Sequence, residues 1–81
     1  MNDIIYILIK TEAGKLEKVL NEIFKRSNVL EAYVVTGAYD IIAKIQTPFI
    51  AEAMGSKIAE IRRISGVKST ETLVCIKRVE K

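Results

Sequence analysis

The stretch from Leu30 to Gln46 constrains the fold more than any other part of this sequence. Two apolar runs flank Gly37-Ala38, and a two-residue loop that begins with glycine is typical of a type II′ β-hairpin. Such a loop sets the pairing of its strands, and a slip by one residue would turn every side chain of one strand to the opposite face. The stretch therefore predicts two antiparallel strands in a single register.

The predicted register divides the hairpin into an apolar face and a mixed face. Glu31 and Lys44 are expected to lie opposite each other on the mixed face, where such a pair contributes roughly 0.2–1 kcal/mol. The other mixed pairs are Val35–Asp40, beside the turn, and Tyr33–Ile42. The apolar face, which we expect the helices to cover, pairs Thr36 with Tyr39, Val34 with Ile41, Ala32 with Ala43 and Leu30 with Ile45.

The remaining sequence predicts two further strands and a first helix. Ile4–Ile9 is apolar on both faces, which is typical of a strand covered on both sides. Between Thr11 and Arg26 apolar residues recur at helical spacing, with Thr11 as the predicted N-cap and an end near Ser27-Asn28. Val67–Val79 closes the chain as a strand. The apolar stripe of the helix comprises Leu16, Val19, Leu20, Ile23 and Phe24.

A second helix has clearer boundaries. Thr47 is predicted as its N-cap, Pro48 as its first residue and Gly66 as the glycine just past its end. A ridge of small residues on this helix would allow a neighbouring element to approach closely, and we favour its own sheet or sister helix over another subunit. The ridge comprises Ala51, Gly55 and Ala59, and the apolar stripe comprises Ile50, Met54, Ile58 and Ile61.

The element order β-α-β-β-α-β is the ferredoxin-like arrangement of an α+β fold. Right-handed crossovers place the first and third strands in the centre of a four-stranded antiparallel sheet of order 4-1-3-2, with both helices on one face. A core of this size rarely supplies more than ~3–5 kcal/mol, and the other sheet face would be uncovered. Exposed apolar faces mark interfaces, so we expect dimerisation through the sheet.

Composition argues against catalysis. The 81 residues contain no histidine, the commonest general base and metal ligand. The single Cys75 cannot build a structural zinc site alone, and we expect it to be an inert packing residue. No glycine spacing matches a phosphate-binding loop. We therefore expect no enzymatic activity, metal or cofactor, and a small-molecule enzyme on a dimeric ferredoxin-like fold is the least favoured alternative.

Charge and targeting signals point to an intracellular protein. The net charge of +3 is spread among interspersed signs, which is typical of a solvated surface rather than a nucleic-acid interface. No apolar run is long enough for a signal peptide or a membrane span. A lone cysteine agrees with a reducing compartment, so we expect a cytoplasmic location.

The glycine turn is the candidate binding site. A glycine turn exposes backbone N–H groups that can hold a carboxylate, and Asp40 could accept an ammonium group. Together they match the backbone end of a free α-amino acid. The alternative, which local chemistry alone favours, is that Gly37 only makes the turn and Asp40 only caps it.

Two segments, VVTGAYDIIAKIQ and further on GVKSTETLVCIKRV, resemble the effector (RAM) domain of the Lrp/AsnC transcription regulators. The residues that match the G-x-Y/F-D element and the G-V-x-x-T-x-T pattern are Gly37, Tyr39, Asp40, Gly66, Val67, Thr70 and Thr72. Members of that family bind amino acids near the glycine turn, at interfaces between dimers, and form dimers and rings of dimers. The resemblance therefore implies ligand roles for Gly37, Ala38, Tyr39 and Asp40, with Thr70 and Thr72 as supporting candidates.

One departure from the family pattern bears on function. The usual regulator carries an N-terminal helix-turn-helix, whereas this chain enters its first strand at about Asp3. The resemblance therefore implies a stand-alone domain over residues 1–81, with no DNA-binding domain, no direct DNA binding and no membrane contact. Its expected partners are a free amino acid, copies of itself and full-length regulators of the family. The alternative is a pure protein-interaction module with no small-molecule ligand.

The expected topology also suggests how a ligand would be held. We expect the glycine turn where the central strands begin, and Thr70 and Thr72 near the opposite end of the sheet. On that placement, a ligand that contacts both sets must lie between two chains.

Overall fold

The computed structural model describes residues 3–26 and 28–81. Its elements follow the predicted order. They are β1 Asp3–Thr11, α1 Leu16–Phe24, β2 Val29–Val34, β3 Ile41–Thr47, α2 Ile50–Glu52, a π-helical segment Ala53–Lys57, α3 Ile58–Arg62 and β4 Val67–Val74. The three consecutive helical segments from Ile50 to Arg62 together form the second helix.

The strands form one antiparallel sheet of order β2-β3-β1-β4, which confirms the predicted order 4-1-3-2. Alternate residues of β1 face the helices, and Ile5, Ile7 and Ile9 are fully buried there. Val19 of α1 and Ile61 of α3 belong to the same core cluster. All the helices therefore cover one face of the sheet. Within residues 3–26 and 28–81, no helix has both the length and the apolar character needed to cross a membrane.

Four of the seven predicted hairpin pairs are confirmed in the strand ladder, and the Leu30–Ile45 pair is wrong. Glu31–Lys44, Ala32–Ala43, Tyr33–Ile42 and Val34–Ile41 pair as predicted, but Ile45 lies opposite Val29 rather than Leu30. The register shifts between Val29 and Glu31, so Leu30 is the extra residue of a β-bulge. Val29 is consequently 8% exposed, whereas Leu30 is 46% exposed.

Both ends of the first helix differ from the prediction. Thr11 is the last residue of β1, and the helix begins at Leu16 after Lys15, so Thr11 is not its N-cap. Thr11 extends β1 instead because its backbone N–H donates to the Asp40 carboxylate, just before β3 in the same chain. The helix ends at Phe24, and the predicted end residue Ser27 lies outside the described residues. Phe24 is exposed because it lies over the edge strand β2 rather than over the centre of the sheet.

The start of the second helix also lies later than predicted. Thr47 ends β3 and is buried, and its hydroxyl accepts a 3.2 Å hydrogen bond from the Phe49 backbone N–H. This bond closes the short turn before the helix, whose N-cap position falls on Phe49. Thr47 and Pro48 therefore belong to the connection and not to the first turn of the helix.

The π-helical segment changes which face of the second helix is buried. Ala53 and Ile58 are buried and lie five residues apart, which is the spacing of a π-helix. Met54, predicted in the stripe, is exposed. A Cβ added to Gly55 would meet no atom within 4 Å and Ala51 is exposed, so these two members of the ridge do not pack against their own sheet or sister helix as predicted.

Gly66 has a different role from the predicted one. The second helix ends at Arg62 with Arg63 as C-cap, so Gly66 lies beyond the helix end. Its φ is +102°, and an added Cβ would lie 2.8 Å from the Lys15 Cβ and 2.9 Å from a Val19 methyl. Glycine is thus required here because the start of β4 passes directly against α1.

Strand β4 ends at Val74, earlier than the predicted Val79. Val74 pairs with Ile5, and the Cys75 N–H donates to the Ile4 carbonyl at 3.0 Å. Since β1 begins at Asp3, no partner strand remains among the described residues for the segment that follows.

Candidate functional site

The glycine turn and the end of β1 meet at one corner of the sheet. Because β1 and β3 are antiparallel, Ile9 near the end of β1 pairs with Ile41 at the start of β3. The Asp40 backbone N–H donates to the Ile9 carbonyl at 2.9 Å, so the turn is attached to β1 as well as to β2. The turn corner, as named from here on, comprises Lys10, Thr11, Gly37, Ala38, Tyr39 and Asp40.

The Asp40 carboxylate is held by Thr11. Its Oδ2 accepts the Thr11 backbone N–H at 2.8 Å and the Thr11 hydroxyl at 3.2 Å. The backbone hydrogen bond lowers the pKa of Asp40; desolvation opposes this, while the hydroxyl bond and the nearby Lys10 ammonium act in the same lowering direction. Asp40 is therefore ionised at neutral pH and oriented toward β1.

The turn itself is wider than predicted. The Val35 N–H donates to the Asp40 carbonyl at 2.9 Å, which leaves residues 36–39 as the connection. The two-residue loop and the Thr36–Tyr39 pair are therefore wrong. The Val35–Asp40 bond closes a four-residue connection, whereas a two-residue loop would place the closing hydrogen bonds between Thr36 and Tyr39. Gly37 does have the positive φ, +110°, that makes glycine suitable at this position.

The turn presents free hydrogen-bond donors next to a cation. The amides of Gly37, Ala38 and Tyr39 donate no hydrogen bond to any residue that the structure describes. The Lys10 ammonium contacts the Ala38 carbonyl at 3.4 Å. Exposed amides beside a positive charge are an arrangement that attracts small anions such as carboxylates.

Tyr39 lies on the face opposite to the predicted one. The pKa of its phenol is raised by desolvation and then by the nearby Glu71 carboxylate. Glu71 pairs with Leu8, whose side chain points away from the helices. The prediction that Tyr39 faces the helices is therefore wrong, because Tyr39 belongs to the connection before β3 and does not follow the alternation of that strand.

The two candidate threonines lie elsewhere than the sequence suggested. Thr70 pairs with Ile9, at the same end of the sheet as the glycine turn, and Thr72 pairs with Ile7 near the middle of β1. The predicted location at the opposite end is wrong, because β4 runs antiparallel to β1 and starts beside the end of β1. Both threonines are half-buried on the helix side of the sheet. Their position therefore no longer requires that two chains meet to bring them to one ligand.

Sequence reasoning missed three residues of this region, Lys10, Thr11 and Glu71. Thr11 resembles a helix N-cap when only local spacing is considered. The available signal was the antiparallel pairing of β1 with β3, which places the residues after Ile9 beside the residues before Ile41. The pairing of β1 with β4 then brings Glu71 to the same end.

The sheet face away from the helices, called the open face below, carries exposed apolar side chains. Tyr33 is 53% exposed and Leu73 is 45% exposed. A Glu31–Lys44 ion pair of 3.5 Å crosses this face as predicted, and Glu31 also accepts the Tyr33 hydroxyl hydrogen bond. These two partners lower the pKa of Glu31, Tyr33 having the larger effect. The apolar members of the open face are Ile4, Tyr6, Leu8, Tyr33, Ile42 and Leu73.

The C-terminal segment, residues 75–81, lies over one end of the open face. Arg78 and Val79 line a cavity of about 260 Å³ together with Ile4 and Tyr6. Cys75 is a free, half-buried thiol just past the end of β4 rather than in mid-strand. Ile4 is buried beneath this segment, so only the remainder of the open face is accessible.

Comparison with known proteins identifies the family. The family model described as the Lrp/AsnC ligand binding domain matches residues 4–81. The HTH-type transcriptional regulator FL11 of Pyrococcus abyssi is 38% identical over 72 residues, which is 89% of this chain and 47% of that protein. The regulatory protein AsnC of Haemophilus influenzae is 37% identical over 67 residues, or 83% of this chain and 45% of that protein. The chain thus spans less than half the length of these two curated relatives.

Solved structures show the same fold. TTHA0845 from Thermus thermophilus superposes with a TM-score of 0.88 at 25% identity, covering 98% of this chain and 99% of that one. The regulator NMB0573 of Neisseria meningitidis, whose structure is a complex with L-Met, superposes with a TM-score of 0.83 at 14% identity, covering 98% and 53%. The fold is that of a βαββαβ ligand-binding domain of transcriptional regulators. The chain belongs to the Lrp/AsnC family, which confirms the resemblance seen in the sequence.

Proposed function

We propose that this chain is an effector module that binds a free amino acid at the turn corner and couples binding to its own assembly. The observation that carries the proposal is the ionised Asp40, which Thr11 holds beside an exposed glycine turn whose amides have no partner among the described residues. The backbone end of a free amino acid carries an ammonium group and a carboxylate a few ångströms apart, and this site offers a partner for each.

The charges of the corner suit the two ends of such a ligand. The amides of Gly37, Ala38 and Tyr39, with the Lys10 ammonium nearby, would attract the α-carboxylate. The negative charge of Asp40 would attract the α-ammonium group. Thr70 and Thr72 remain supporting candidates, and the pairing of Thr70 with Ile9 favours it over Thr72.

The relatives support the same class of ligand. The matching family model is described as a ligand binding domain, and the Neisseria regulator of the same fold is a complex with L-Met. The names of the curated relatives are those of transcriptional regulators and not of enzymes, which supports a regulatory, non-enzymatic role and a cytoplasmic location.

Assembly would use the open face. Exposed Tyr33 and Leu73 give it the apolar surface that a face-to-face pair of sheets buries. The turn corner lies at an end of the same sheet, so that a second copy would border the ligand. A ligand bound along that seam stabilises the assembled form by linkage. The proposal extends to rings of such dimers and to pairing with full-length regulators through the same face.

Titration calorimetry against the twenty L-amino acids, with sedimentation velocity before and after ligand, tests the proposal. Asp40→Asn keeps an acceptor for Thr11 but removes the charge, and should weaken binding by about tenfold or more, as for a hydrogen bond to a charged group. Asp3→Asn, at the other exposed end of β1, is the matched control. Absence of heat for the whole panel would reject amino-acid sensing.

A pure interaction module is the second candidate function. The extent of exposed apolar surface on the open face favours it, because that surface needs a protein partner whether or not a ligand binds. The same experiment separates the two candidates. An assembly that is unchanged by every amino acid and by Asp40→Asn would favour the interaction role.

A further inference from the structure

The open face carries two sets of one tyrosine, one glutamate and one lysine, and the first set is complete within the chain. Glu31 lies directly opposite Lys44 on the neighbouring strand, and their charged groups approach to 3.5 Å. The Tyr33 hydroxyl donates to the other carboxylate oxygen. Each charge of this first set therefore has its partner in the same chain.

The second set comprises Lys10 and Tyr39 of the turn corner and the adjacent Glu71, and it contains no ion pair. Lys10 lies opposite Ser69 and Glu71 lies opposite Leu8, so that Lys10 and Glu71 are diagonal neighbours on the open face. Diagonal neighbours lie about 7–8 Å apart, with their Cβ atoms somewhat closer. Neither side chain forms an ion pair with any residue in 3–26 or 28–81. The Lys10 ammonium contacts the Ala38 carbonyl, at 3.4 Å, and Tyr39 lies beside Glu71.

We infer that Lys10 and Glu71 bind the two charged ends of the amino acid, an inference that rests on the proposed function. A zwitterion carries its ammonium and carboxylate on one carbon, so it fits between a cation and an anion that do not pair with each other. The ligand carboxylate contacts Lys10 and the turn amides. The ligand ammonium contacts the Glu71 carboxylate.

This arrangement divides the roles of the two carboxylates at the corner. Oδ2 of Asp40 already accepts two hydrogen bonds from Thr11, and the Asp40 N–H is bonded to β1. Asp40 thus fixes the turn and attracts the ammonium group through its charge, whereas Glu71 makes the direct contact. Glu71 is exposed, carries no ion pair among the described residues and lies on the same face as Lys10.

The test compares the two sets by calorimetry with whichever of the twenty L-amino acids binds the wild type most tightly. Glu71→Gln and Lys10→Met should each weaken binding by about tenfold or more, as expected for loss of a charge-assisted hydrogen bond. Glu31→Gln and Lys44→Met change the same residue types in the first set and, with the assembly shown by sedimentation velocity to match the wild type, should leave the affinity within about twofold. Circular dichroism melting curves identify any variant that fails to fold.

A ligand that lacks the α-ammonium group tests whether Glu71 contacts that group directly. With the N-acetyl derivative of the same amino acid, Glu71→Gln should cause no further loss, whereas Lys10→Met should still weaken binding. Equal loss with both ligands, or wild-type affinity in Glu71→Gln, would overturn the inference while leaving the proposed function intact. If the wild type binds no amino acid, the proposed function fails and the inference fails with it.

Discussion

The Thr11 N–H and the Thr11 hydroxyl both donate to Oδ2 of Asp40, at 2.8 and 3.2 Å. These bonds join the last residue of β1 to the residue that precedes β3. They explain why Thr11 extends the strand instead of capping the first helix. They also make the stability of the turn corner depend on the charge of one carboxylate.

Acid should weaken the fold partly through Asp40. Its pKa is lowered in the folded chain, chiefly by the Thr11 backbone hydrogen bond, so the stabilisation is present above the ordinary carboxyl pKa of about 3.9. It is lost as the pH falls from that value through the lower folded pKa. Urea unfolding midpoints measured from pH 6 to pH 2.5 should show a smaller decrease in Asp40→Asn than in the wild type. Equal decreases, with Asp3→Asn as the control, would contradict this assignment.

Gly66→Ala should destabilise the fold by about 1–3 kcal/mol. The new methyl would lie 2.8 Å from the Lys15 Cβ and 2.9 Å from a Val19 methyl, and φ at this position is +102°. Both the contact with α1 and the backbone conformation oppose the substitution. The free energy of unfolding, measured in urea at one fixed protein concentration, checks the prediction.

Gly55→Ala is the matched glycine variant and should have the opposite sign. A Cβ at this position meets no atom within 4 Å, and φ is not in the positive range. Alanine in a helix interior is better than glycine by up to about 1 kcal/mol. The urea midpoint should therefore stay the same or rise. A decrease comparable to that of Gly66→Ala would mean that the exposed ridge contacts something in solution.

The bulge in β2 predicts unequal effects of two adjacent truncations. Val29 is 8% exposed and belongs to the core cluster, whereas Leu30 is 46% exposed. Val29→Ala should cost about 1–2 kcal/mol, and Leu30→Ala should cost about 0.5 kcal/mol or less despite the larger side chain. Urea unfolding of both variants measures the difference. A larger cost for Leu30→Ala than for Val29→Ala would support the predicted Leu30–Ile45 pairing without a bulge.

A charge on the open face should prevent the proposed assembly. Leu73→Glu places a carboxylate among the exposed apolar residues of that face and should shift the protein toward the monomer. Phe24→Glu changes a comparably exposed side chain on the helix side and should leave the assembly unchanged. Sedimentation equilibrium over a range of micromolar concentrations gives the result. Identical association of both variants would exclude the open face as the interface.

The order of elements and the pairing of the hairpin were predictable because they depend on periodicities along the chain. Alternation over Glu31–Val34 and Ile41–Lys44 was enough to pair them correctly. The predictions that were wrong concern backbone groups whose hydrogen-bond partners lie in segments distant in the sequence. Leu30 leaves the ladder in a bulge, and the Asp40 N–H bonds to Ile9 rather than across the hairpin.

The candidate site likewise has features that the sequence predicted and features that it did not. The glycine, the tyrosine and the carboxylate of the turn could be selected from their chemistry and from their resemblance to a family motif. The sequence could not predict on which face Tyr39 lies or at which end of the sheet Thr70 lies. Both depend on the pairing of β1 with β3 and with β4. Lys10 and Glu71 carry no local signal and become neighbours only in the folded sheet.

The sequence by itself determined the βαββαβ architecture, the strand order, the glycine turn and the family, since these depend on residue type and spacing. The tertiary structure alone decided the widened turn, the bulge at Leu30 and the face on which Tyr39 lies. It also decided which charges meet at the turn corner. The physical reason is that a backbone amide or a carboxylate takes whichever partner the neighbouring strand offers, and that strand is remote in the sequence.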